Sequence, residues 1–181
     1  MNICFNGNLP KIHKNVFIAS GAKIIGDVHI DDDSSVWFNC VLRGDVNFIK
    51  IGKKTNIQDL TTIHVWHKEF DKNGNFIDEG SPVIIGNEVT IGHNCVIHGC
   101  KIQDRVLIGM NSTIMDGVII GEDCIVGAGS LITKNKKFPP YSLILGNPAK
   151  LIRKLSDEEI KSIKDSAISY VKFKNNYKEN G

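Results

Sequence analysis

No excess of either charge marks this chain: 22 lysines and arginines stand against 20 acids, a net charge of +2. That balance excludes bulk electrostatic attraction as the basis for binding nucleic acid or a membrane. No long hydrophobic run is present either; nothing approaches transmembrane length, and Met1 to Asn15 hold no apolar run of the signal-sequence kind. Without such a leader, the five cysteines point to a reducing, cytoplasmic setting and exclude a disulfide framework. What remains is 41% hydrophobic and 23% charged over 181 residues, the profile of an ordinary globular chain.

What the sequence does have is a period of six. Aliphatic anchors recur at Ile18, Ile24, Ile30, Val36 and Leu42, then at Ile51, Ile57 and Ile63. They resume at Ile85, Ile91 and Ile97, and again from Ile102 through Ile108, Ile114, Ile120 and Val126 to Ile132, with Phe138 and Ile144 in the same phase. Two residues before each anchor sits a second small or β-branched residue, such as Ala22, Val28, Cys40 and Thr55. Residues two apart face the same way on a strand, and the rest of each hexapeptide turns the chain. Three such sides close a coil of about 18 residues, and coils stack about 4.8 Å apart. Six is not a multiple of the helical period. The pattern predicts a parallel β-helix of nearly six coils between Ile18 and Ile132, occupying residues 1–150.

Two interruptions break the count. Leu42 and Ile51 are nine positions apart, a three-residue bulge. Ile63 and Ile85 are 22 apart, one side plus a 16-residue insertion at about 67–82, whose polar run Asp71-Lys72-Asn73-Gly74-Asn75 reads as a projecting loop. After Gly146-Asn147-Pro148 the character changes, and residues 151–181 read as a C-terminal helical part. Ser156-Asp157-Glu158-Glu159 is a capping-box pattern. Ile160, Ile163, Ala167 and Tyr170 make one apolar stripe, to lie on the β-helix or on a neighbouring subunit.

His64 and His98 each follow an anchor, and the coil count stacks them one strand spacing apart, where two imidazoles can share a metal. His93, two residues after Ile91, lies near a corner on the preceding side and cannot easily reach that pair within one chain. A third ligand therefore requires a second chain, and three-fold symmetry suits a triangular prism. His67 sits in the insertion, while His13 and His29 have no partners and read as surface residues. Cys40, Cys95, Cys100 and Cys124 occupy the inward position before an anchor, which assigns them to packing.

These residues resemble the gamma-class carbonic anhydrases and their relatives, through Arg43-Gly44-Asp45, Asn56-Ile57-Gln58-Asp59, Ile63-His64-Val65, the segment from Ile91-Gly92-His93 to His98-Gly99-Cys100, and Gly146-Asn147-Pro148-Ala149-Lys150. The resemblance implies a left-handed coil, a homotrimer and three interfacial metal sites with zinc, or iron or cobalt, on His64, His93 and His98. It implies that Gln58 lies near the metal's water, and that Arg43, Asp45 and Asp59 form the surrounding polar network. By analogy Tyr170 approaches the site from the C-terminal helix. The activity implied is reversible hydration of carbon dioxide to bicarbonate by hydroxide generated at the metal. One departure concerns proton transfer: active members carry a glutamate after the Arg-x-Asp pattern, where this chain has Val46. Two other functions share the repeat: a metal-stabilised trimeric scaffold or assembly subunit, and a hexapeptide-repeat acyltransferase.

Overall fold

The computed structural model describes residues 1–180. The anchors stack in register along three faces of a prism. On the first face Ile18, Val36, Ile57, Ile91, Ile108, Val126 and Ile144 follow one another through parallel pairing. On the second, Ile24, Leu42, Ile63, Ile97, Ile114 and Ile132 do the same, capped at one end by Asn2–Ile3. On the third, the column runs from Ile12 through Ile30, Ile51, Ile85, Ile102 and Ile120 to Phe138. This is a hexapeptide-repeat, left-handed parallel β-helix with one C-terminal helix. The stack is longer than the sequence count, because Ile12 already lies on the six-residue grid and Phe138 and Ile144 close it.

Inside the prism nothing charged enters. Every anchor from Ile24 to Ile144 is buried, as are its companions two residues earlier, including the four repeat cysteines, with the one exception of the exposed Lys136 before Phe138. Thr55, Thr61 and Ser112 share the interior by donating their hydroxyls to backbone carbonyls of the next coil. Many corners turn through a residue in the left-handed region three positions after the anchor, among them Asp33, Asn39, Asn94, Asn111 and Asn135. Asparagine and aspartate tolerate that conformation best.

The bulge between Leu42 and Ile51 falls within the long strand Val41–Ile51, where the pairing with Lys23–Ile30 shifts register. The insertion at 67–82 is a correction to the expected loop. It is a β-hairpin, with Glu69–Phe70 antiparallel to Phe76–Asp78. The polar run is its turn: the Asp71 carboxylate accepts from the backbone N–H of Asn73 and Asn75. At its base Asn47, on the bulge, donates to the carbonyls of Trp66 and Glu79.

After Ser142–Gly146 the chain reverses into a further strand, Ala149–Lys154, antiparallel to it. Helix α1, Asp157–Asn180, follows. Its capping box is formed as the sequence reads: Glu159 N–H donates to Ser156 Oγ (3.3 Å) and Ser156 N–H to Glu159 Oε2 (2.8 Å). Arg153 grips the same carboxylate and, with the backbone bond from Ser156, brings it down to about 2. The helix lies on the first face of its own chain, burying Ile163, Ala167 and Lys174. Lys174 pairs with Asp33 at 2.9 Å. Among the described residues, no helix is long and apolar enough to cross a membrane.

Candidate metal centre

The register sets Arg43 beside His64, and His64 beside His98. All three follow second-face anchors, so their side chains leave the prism together. The step from Ile97 to Ile102 is one residue shorter than the regular six, and Gly99 makes that corner with φ +49°. A Cβ there would stand 2.5 Å from Asp116 Oδ1. Glycine thus lets the Asp116 carboxylate close on the His98 ring.

Each of the three histidines has one ring nitrogen on an aspartate. His64 Nε2 meets Asp45 Oδ1 at 3.0 Å, His93 Nδ1 meets Asp59 Oδ2 at 2.8 Å, and His98 Nδ1 meets Asp116 Oδ1 in a short contact. An ionised carboxylate only accepts, so it selects the tautomer with the proton on that nitrogen. The other nitrogen is left with its lone pair. For His64 and His98 these are Nδ1 and Nε2, and they face each other 3.0 Å apart. Two nitrogens on one tetrahedral zinc at about 2.05 Å stand about 3.3 Å apart. The donor set and its aspartate supports therefore fit a metal ion.

Burial works against charge on Asp45, but hydrogen bonds from Arg43 and His64 outweigh it and hold the carboxyl below its ordinary value. Burial opposes charge on Asp116 too, and is outweighed by His98 and Lys134. Burial of His64 lowers its pKa despite Asp45, with the Arg43 and His98 charges adding to the fall. A neutral imidazole is the ligand form.

His93 stands elsewhere, two residues past the first-face anchor Ile91. Among the described residues no group of three or more histidine, cysteine or carboxylate side chains is arranged within one chain to hold a metal ion. Asp59 and Tyr170 are brought to His93, and with Trp37, Phe38 and Phe173 they line a cavity of about 370 Å³. Tyr170 meets Trp37 edge-on at 5.5 Å, and burial beside Asp59 raises its pKa. Gln58 is nearly buried at the same corner and donates to Asn56 Oδ1 at 3.1 Å. Asn56 donates in turn to Thr90, whose hydroxyl meets Ser166 of α1. Arg43 pairs with Asp45 at the mouth of the other half-site. His67 stacks on Trp66, and His13 and His29 pair with Asp32 and Asp27 on the surface.

Sequence reasoning missed Asp116, Lys134 and Trp66. Asp116 was findable, since it lies 18 residues after His98, one position beyond the 17-residue coil that pairs Ile97 with Ile114. Lys134 bonds Asp116 at 3.2 Å and sits over the Trp66 ring, itself 6.2 Å from the His98 ring. No periodicity marks that contact.

Fold and site together define a hexapeptide-repeat protein with three histidine–aspartate pairs. Family models for the bacterial transferase hexapeptide match residues 10–44 and 99–134, and the hexapeptide repeat of succinyl-transferase matches 82–106. The chain is 54% identical to a probable carbonic anhydrase of Methanocaldococcus jannaschii, over 90% of this chain and 94% of that one. It is 46% identical to the mitochondrial gamma carbonic anhydrase 2 of Arabidopsis thaliana, over 90% of its own length but 56% of the relative's. A Bacillus cereus structure described as a putative acetyltransferase superposes with a TM-score of 0.91, at 39% identity, covering 100% of this chain and 98% of that one. The chain belongs to the gamma carbonic anhydrase family.

Proposed function

We propose that the protein is a metal-dependent carbonic anhydrase, interconverting carbon dioxide and bicarbonate. The working unit is a homotrimer, in which His64 and His98 of one protomer and His93 of the next share each of three metal ions. The observation that carries this reading is the triple histidine–aspartate pairing, with the 3.0 Å approach of two unprotonated nitrogens that one chain leaves short of a third ligand. Zinc held there, or iron or cobalt, lowers the pKa of a bound water from about 15.7 towards 7 and so supplies a nucleophile at neutral pH.

The chain's own residues do the rest. Asp45, Asp59 and Asp116 keep the three rings aimed and in the ligating tautomer. The wall of Trp37, Phe38 and Phe173 beside His93 admits an apolar gas, and Tyr170 closes it from the helix. Gln58, tethered through Asn56, orients the incoming water. Arg43, fixed on Asp45, receives the negative charge of bicarbonate.

A catalytically slow, metal-stabilised scaffold is the second reading, and the carboxylates favour it. Val46 is 43% exposed on the bulge beside Asp45. The hairpin acids Glu69, Asp71 and Glu79 are engaged with Trp66, Asn75 and Lys68. Stopped-flow hydration, on protein loaded with zinc or anaerobically with iron, separates the cases. Hydration lost in His64→Ala supports the enzyme; tight metal without hydration supports the scaffold. Absence of tight metal binding returns the chain to the acyltransferases.

A further inference from the structure

Beside each inward ladder runs an outward column, and the three columns differ in charge. The first-face column, partly under α1, contains no charged residue. The second, next to His64 and His98, carries Val41, Thr62, Val96, Thr113 and Leu131, with Lys23 at one end. The third is cationic. Lys11 pairs with His29, His29 with Lys50, and Lys50 with Ile84. Ile84 then pairs with Lys101, Lys101 with Ile119, and Ile119 with Lys137. Lysine thus stands on every second rung, about 9.6 Å apart.

None of these four lysines has a carboxylate within 4.0 Å among the described residues. Of the nearby acids, Asp27 pairs with His29 and Glu122 with Arg105, while Asp31 and Asp104 line the channel without a cationic partner among the described residues, Asp104 accepting from the Asn87 N–H. A channel runs along the column in two cavities of about 460 and 330 Å³ that meet at Gly86. Along it Gly52 and Gly86 let the next coil pack closely, since a Cβ on either would stand 2.6 or 2.2 Å from an oxygen of that coil. A polypeptide extended in the polyproline II conformation has three residues per turn and advances about 3.1 Å per residue, so every third side chain recurs on one face at about 9.3 Å. A lysine column with that repeat, free of ion pairs and beside an open channel, matches an acidic chain of the same repeat.

We propose that the third face docks an extended acidic segment of a partner polypeptide, with carboxylates at every third residue along Lys11, Lys50, Lys101 and Lys137. A lipid surface would use the charge but neither the channel nor the spacing. The interaction is independent of the metal centre.

The test is fluorescence anisotropy at low salt with two labelled peptides of one composition. One is (Glu-Ser-Ser)4-Glu; its isomer has all the glutamates contiguous. The native protein is expected to bind the spaced peptide more tightly, and K50E/K101E to weaken it about tenfold or more. K161E/K164E, on exposed positions of α1, should leave it within about twofold, as charge removed far from the column acts only weakly. Should K50E/K101E misfold by circular dichroism, K50Q/K101Q serves, with a smaller loss. Metal content should not change in any variant. Equal binding of the two isomers, or equal losses in the column and helix variants, would overturn the proposal. So would column-dependent flotation with phosphatidylserine vesicles when neither peptide binds.

Discussion

A ring nitrogen can ligate a metal only when the rest of the imidazole is held still, and Asp116 holds His98. Asp116→Ala should lower metal affinity by roughly 10–100-fold, while Asp116→Asn, which still accepts through its carbonyl oxygen, should lose less. Competition against a chelating dye measures both; an alanine variant as tight as native would free His98 of this support. The cysteines behave oppositely, being shielded from chemistry. Burial pushes the Cys40 thiol up to about 12 and raises Cys95, Cys100 and Cys124 as well. Only the exposed Cys4 should label quickly with a thiol reagent in the native protein, with or without metal. Rapid labelling at Cys95 or Cys100 without unfolding would contradict the inward parity. That parity was legible from the hexapeptide alone, since position within a repeat fixes direction. The tautomers were not, because they depend on aspartates a coil or more away.

At the scale of elements, α1 is fastened by a charge as well as by its apolar stripe. Lys174 is 2% exposed and its partner Asp33 lies on a corner of the β-helix. Removing Asp33 strands a buried ammonium, so Asp33→Ala should cost about 3 kcal/mol in chemical denaturation. Lys174→Met fills the same space without charge and should cost less than about 1 kcal/mol. Equal losses would mean that the pair is solvated. The helix start was readable from its capping box and the stripe from Ile160 to Tyr170, whereas Lys174 hid the stripe's continuation by being charged. The strand Ala149–Lys154 was unreadable for another reason: all but Ala149 are exposed, so no alternation betrays it. The hairpin reads as a loop in the sequence because its strands are two and three residues long and its turn dominates the composition.

At the scale of the whole molecule, the prism's faces divide the work: one partly under the helix, one beside the half-site with a single lysine in its outward column, one cationic. A trimer with shared ligands makes a stringent demand. His64→Ala and His93→Ala should each abolish tight metal binding alone. Mixed, with subunit exchange verified by native mass spectrometry, they should regain at most one site in three per mixed trimer, because only one interface rebuilds the full set. No recovery after verified exchange would assign all ligands to one chain. The hairpin adds a consequence of its own. It leaves the stack between residues that pair side by side, as His64 does with His98 across 34 positions of chain. Backbone cleavage at Asn73–Gly74 in the hairpin turn would sever no ladder. It would yield two polypeptides able to zip together along three faces at once, one bearing His64 and the other His93 and His98. Restored metal uptake would then signal their reunion, making the fold a natural split reporter.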